Sequence, residues 1–226
     1  MKMKQQMLLI AAIVSVPLAI ALAGKLEDFK EADRYDEGCD SIPATYSSER
    51  SACKSEGPRV HEWCDSGSRG PVTCGNEELT KAPKRDIEKL TRLISDLKDA
   101  RSKAESNKGN AKTDDDKKKF EEEIKKIDAD AYQANKDLDA AKAALDARKK
   151  HVDTAIYNLD QCLAYRRAVM NSFAAALDKM RNERETPEIK SLAESLVKKY
   201  ERSKSGHEQQ ITAKQNALAN CKSWMP

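Results

Sequence analysis

Between Gly109 and Pro187 the sequence contains neither glycine nor proline, and one apolar register runs through most of that stretch. Alternating steps of four and three residues pass through Phe120, Ile124, Ile127, Ala131, Ala134, Leu138, Ala141, Leu145, Arg148, Val152, Ala155, Leu159, Cys162, Arg166, Val169, Phe173, Ala176 and Met180. Only Arg148 and Arg166 interrupt it. The spacing averages 3.5 residues, the repeat of a coiled-coil seam. A helix of this length extends roughly 100 Å. It is too long to be the centre of a compact globule and must find partner helices along its course.

Residues 77–223 read as three helices, over about 77–107, 113–185 and 187–222. In the first, Ile87, Leu90, Ile94 and Leu97 recur at helical spacing, and Asn107-Lys108-Gly109-Asn110 ends it. Thr113 or Asp114 can cap the second, with acids in its first turn. Thr186-Pro187 reads as a cap followed by proline at the first helical position. The third helix carries Ile189, Leu192, Leu196 and Tyr200 on one face, and Ser203-Lys204-Ser205-Gly206 is a candidate break. Short loops favour antiparallel neighbours, so the outer helices fold back on the two halves of the long one. The expected fold is therefore all-α: elongated antiparallel coiled-coil hairpins with a small N-terminal module.

That module spans residues 24–76. It holds six of the eight glycines, three prolines and four cysteines, and no period persists in it. It is expected to be irregular and to depend on disulfides or on docking to the helices. Ahead of it, residues 1–23 read as a cleaved targeting segment. Lys2 and Lys4 precede an apolar run from Met7 to Ala21, and Ala21-Leu22-Ala23 forms a cleavage signal before Gly24. Membrane association is expected only if this segment stays uncleaved as an anchor. Without it the net charge falls from +3 to +1, because Lys2 and Lys4 are its only charged residues.

Six cysteines follow the targeting segment: Cys39, Cys53, Cys64, Cys74, Cys162 and Cys221. An even count behind such a segment predicts three disulfides in an oxidising, extracytoplasmic compartment, the periplasm or outside the cell. The hairpin register narrows the pairing. A turn near residue 186 sets Cys221 level with about residue 150, and a turn near 110 sets Cys74 level with about 146. Cys74 is thus expected to meet Cys221, and Cys162 to meet one of Cys39, Cys53 or Cys64. A Cys162–Cys221 bridge would span about 18 Å of helix, so it needs a kink at Gly206 or a shifted register to come within disulfide reach.

Chemistry-bearing motifs are sparse. His61, His151 and His207 are scattered, and there is no phosphate loop, dinucleotide fingerprint or zinc spacing; His61-Glu62-Trp63-Cys64 with Cys74 matches no metal pattern. A near-neutral chain with interleaved charges lacks the basic face of a nucleic-acid binder. No enzyme, cofactor, metal or small-molecule substrate is expected. Arg148 and Arg166 read either as packed stems with their heads drawn to acids, or as devices that set register or partner. Trp224, Tyr157, Tyr165, Arg166 and Arg167 are candidate partner contacts, since tryptophan, tyrosine and arginine dominate interface hot spots.

In outline, long charged helices behind a signal segment, the chain resembles exported coiled-coil proteins, including periplasmic holdase chaperones with helical arms. That resemblance implies a role in holding unfolded clients. The leading expectation is an exported non-enzymatic scaffold or adaptor that acts through helix packing on a protein partner or on itself. A holdase and a membrane-anchored spacer are the alternatives, and a ligand-binding module over 24–76 is a further one.

Overall fold

The computed structural model describes residues 20–36 and 38–224. Residues 1–19, most of the expected targeting segment, lie outside the described residues. Helix α1 covers residues 20–33. Two short 3-10 turns follow, Cys39–Ser41 and Ala44–Tyr46. Helix α2, Ser47–Val60, runs directly into a π-helical turn, His61–Asp65. The long elements are α3 (Glu78–Asn110), α4 (Asp114–Arg181) and α5 (Pro187–Trp224). No strand occurs among the described residues, and the fold is all-α.

Residues 24–76, expected to be irregular, are largely helical. In α1 the apolar stripe is Leu22, Leu26, Phe29 and Ala32, which straddles the expected cleavage point. Neither side of that point carries the full period by itself. Phe29 and Ala32 are buried, with Leu22 and Leu26 packed beside them. Helix α2 has little amphipathic signal and carries Gly57 and Pro58. Its inward side is fixed by Cys53, fully buried and bonded to Cys39.

The chain divides into two compact units. One comprises the described residues up to Val72 together with Tyr157–Ala219; the other comprises Thr73–Ile156 with residues 220–224. Helices α4 and α5 each contribute to both.

In the first unit, the later part of α4 packs with α1, α2 and α5. Its register residues Leu159, Cys162, Arg166, Val169, Phe173, Ala176 and Met180 are all buried. Cys162, Val169, Phe173, Ala176 and Met180 join Phe29, Ile42, Tyr46, Ile189, Leu196 and Tyr200 in one core. The α4–α5 connection is built as its sequence suggests. The Ile189 amide donates to Thr186 Oγ1 at 3.2 Å, an N-cap, and Pro187 occupies the first helical position. The helices then run antiparallel, as Arg181–Glu201 (2.8 Å) and Phe173–His207 (5.9 Å) show. Helix α5 continues through Ser203–Gly206, the expected break, with helical hydrogen bonding maintained.

Two phenols are buried in this core. Tyr46 donates to Glu183 Oε1 at 2.5 Å, and Lys25 Nζ reaches Glu183 Oε2 at 2.8 Å; Tyr200 donates to the Ser41 carbonyl. Burial pushes both phenols well above the ordinary tyrosine range, and the Glu183 carboxylate adds to the rise at Tyr46. A raised folded-state value means that this stability is present below the unfolded value, about 10, and is lost as the pH climbs beyond it. An alkaline titration of the six tyrosines, followed at 295 nm beside helicity, tests this. Tyr46 and Tyr200 should ionise only together with unfolding, and ionisation of all six before loss of helicity would contradict their burial.

In the second unit, α3 pairs with the first part of α4. Arg101–Asp128 (2.6 Å) and Lys108–Glu121 (2.9 Å) mark antiparallel alignment. Thr113 Oγ1 accepts the Asp116 amide at 3.1 Å, capping α4 with Asp114, Asp115 and Asp116 in its first turn. The register here is thinner: Ile127 and Ala134 are buried, while Phe120, Ile124, Leu138 and Leu145 are half-buried. Arg148, one of the two register interruptions, caps the approach to α3. It donates to the carbonyl of Cys74, to that of Asn76 at 3.3 Å and to Thr80 Oγ1 at 3.3 Å. Gly75 beside it has φ +64°, and a Cβ there would meet the Arg148 guanidinium at 3.6 Å.

Candidate functional site

The six cysteines form three disulfides: Cys39–Cys53, Cys64–Cys162 and Cys74–Cys221. The third is the pairing that the hairpin register favours, and the second is one of the three left open for Cys162. Cys64 and Cys74 are both consumed in this way, so neither thiolate can join His61 and Glu62 as a ligand. Among the described residues no group of three or more His, Cys, Asp or Glu is placed to hold a metal ion. No described helix is long and apolar enough to cross a membrane.

The Cys64–Cys162 bond lies at the π-helical turn His61–Asp65. A π turn follows naturally here. Pro58 lacks an amide proton and crowds the carbonyl four residues earlier, which loosens the end of α2. Such widened turns recur at functional sites. The turn is tied to α4 on both sides of the disulfide. Arg166 Nη2 donates to Asp65 Oδ1 at 2.9 Å, and the buried Asn158 donates through Nδ2 to the carbonyls of Arg69 and Pro71, each at 3.0 Å.

These ties bring one tryptophan and two tyrosines together on the surface. Trp63 packs edge-on to Tyr157, with centroids 5.7 Å apart, and lies tilted against Tyr165 at 6.3 Å. Two guanidinium groups cover the rings: Arg59 over Tyr165 at 5.4 Å and Arg69 over Trp63 at 5.5 Å. Arg69 is oriented by Glu62, which accepts from Nη2 at 2.8 Å and from Nε at 3.2 Å; that hydrogen bond raises the arginine's already high pKa. Arg59 is held by Glu56 at 3.3 Å. Tyr157 is 58% exposed, and Trp63 and Tyr165 are partly buried. The result is an aromatic–arginine face, each cation already paired with a carboxylate of its own.

Tyr157 and Tyr165, named from the sequence as partner contacts, are thus gathered on one face. Arg166 is not. It occupies a register position, is 4% exposed and points inward, toward Asp65 and, at 3.4 Å from Nη1, toward His207 Nδ1. Its role is internal, which corrects its reading as a partner contact. Arg167 is exposed one position further around α4, and Trp224 ends α5, half-buried, in the other unit. Arg59, Trp63 and Arg69 were missed in the sequence. The signal that finds them is the Cys64–Cys162 pairing, which sets Trp63 beside the turns of α4 that carry Tyr157 and Tyr165.

No protein-family model matches the chain, and neither a curated protein nor a solved structure is significantly similar to it. Fold and covalent chemistry therefore define the class: an all-α, triply disulfide-bonded protein whose bridges point to an oxidising environment.

Proposed function

We propose that the protein is a non-enzymatic scaffold or adaptor of an extracytoplasmic compartment, and that it binds a protein partner through the aromatic–arginine face. The observation that carries this reading is the placement of Trp63, on a turn fixed by a disulfide, against Tyr157 and Tyr165 of α4, with Arg59 over Tyr165 and Arg69 over Trp63. Tryptophan, tyrosine and arginine are the residues in which interface energy concentrates. A surface immobilised before binding loses little side-chain freedom when a partner arrives.

The test is a pull-down with the oxidised full chain from its native extracytoplasmic fraction, with Tyr157→Ala and Trp63→Ala beside it. Tyr157 is exposed, so its truncation leaves the fold intact. One stoichiometric partner is expected, retained about tenfold less well by either variant. A broad set of unfolded clients, held equally by all three proteins, would replace the adaptor with a holdase.

A further inference from the structure

Helix α5 carries Gly206 in its interior, where glycine forfeits more conformational freedom than any other residue. Neither geometry nor packing demands it. Its φ is not positive, and a Cβ built there meets nothing within 4 Å. What surrounds it is open recess. One hollow of about 910 Å³ reaches from Gly206 and Arg202 to Phe173 and His207. A second, of about 650 Å³, shares Arg202 and Gly206 and extends to Lys198 and Gln209. A third, of about 340 Å³, shares Lys198 and Glu201 with the second; it is lined by Met180 and Val197 together with Glu194 and the Arg181–Glu201 ion pair. Neighbouring hollows share lining residues, and together they border α5 from Val197 to Gln210, roughly 20 Å of helix.

The charge on this stretch is unbalanced. Lys190, Lys199 and Lys204 pair with Glu194, Asp33 and Glu208 respectively. Lys198 and Arg202 have no ion pair among the described residues. They stand at i and i+4, where like charges repel. An arrangement that keeps two adjacent cations unpaired, beside a glycine that packing does not require, suits an anionic chain lying across the helix. The apolar floor at Met180 and Val197 discriminates further. It suits an apolar side chain, which a peptide has and an anionic polysaccharide lacks.

We propose that this face of α5 is a docking groove for an acidic peptide segment of a partner protein. One apolar side chain enters the hollow over Met180 and Val197, carboxylates pair with Lys198 and Arg202, and the peptide backbone crosses α5 at Gly206. The groove is separate from the aromatic–arginine face and does not depend on it.

Fluorescence anisotropy with the oxidised full chain tests this directly. The probe is a fluorescein-labelled ten-residue peptide with one leucine followed by four glutamates; its control replaces the glutamates with glutamines. Saturable, salt-sensitive binding of the acidic peptide is expected. The double variant Lys198→Gln/Arg202→Gln and, separately, Gly206→Leu should each weaken it about tenfold or more. Gly206→Ala, which adds a methyl in open space, should raise the thermal midpoint and so show that α5 tolerates a side chain there. Tyr157→Ala should bind the peptide like the parent, separating this groove from the other face. The proposal is overturned if nothing saturates, if the glutamine peptide binds equally, or if the variants bind unchanged. It is equally overturned if dextran sulfate binds with the same variant profile while the peptide does not, because the groove then reads polyanion charge alone.

Discussion

Replacing Cys64 and Cys162 together by alanine is expected to lower the stability of the first unit by about 3–5 kcal/mol. The bond joins residues 98 apart in sequence, so its loss restores a large closed loop's worth of freedom to the unfolded chain. It also opens the core, since Cys162 is fully buried and Cys64 nearly so. Alanine avoids leaving an unpaired polar group there. The Cys74–Cys221 bond, between residues 147 apart, should cost a similar amount in the second unit; Cys39–Cys53, 14 apart, should cost less. Urea unfolding followed by far-UV circular dichroism measures each effect. The two units need not melt together, so two transitions should be fitted where they resolve. A shift below about 1 kcal/mol for the Cys64/Cys162 variant would show that helix packing alone holds the π turn. Partner capture should fall in the same variant, because Trp63 sits on that turn.

Arg166→Ala should destabilise the first unit by about 3 kcal/mol, whereas Arg166→Met should stay within about 1 kcal/mol of the parent. The arginine is almost fully buried, and its Nε has no hydrogen-bond partner. Removing its charge from water is therefore only partly offset by Asp65, whose own carboxylate is half exposed. Methionine retains the packed stem, removes the desolvated cation and releases Asp65 to solvent. Alanine leaves a cavity among the register residues of α4. Thermal and urea melts of the two variants side by side decide the matter. If methionine proves as damaging as alanine, the guanidinium is the structural element and the packing argument fails.

The α4 register was legible because a 3.5-residue apolar period survives whatever packs on it. From Leu159 to Met180 it picks out buried residues at every step, Arg166 included. Helix ends were legible where a local hydrogen bond defines them, as at Thr113 and Thr186. The disulfide pairing was partly legible, because antiparallel hairpins of known length convert sequence separation into height along α4. Helix α1 was obscured by the cleavage signal that cuts its stripe, and α2 by weak amphipathicity and an internal proline. The aromatic–arginine face was invisible, since Arg59, Trp63 and Arg69 lie roughly ninety or more residues from Tyr157 and Tyr165.

By itself, then, the sequence determined that the chain is helical, where its long helices begin and end, and which side of α4 turns inward. Those properties arise from residues within a few turns of one another, through period, capping and the exclusion of glycine and proline. Tertiary structure alone decided that α1 and α2 join the core, that Arg166 faces Asp65 instead of a partner, and that α5 passes unbroken through Gly206. It also decided that Trp63 meets Tyr157 and Tyr165. Each of these depends on contacts closed across long stretches of chain by helix packing and a disulfide, and no local period in the sequence encodes them.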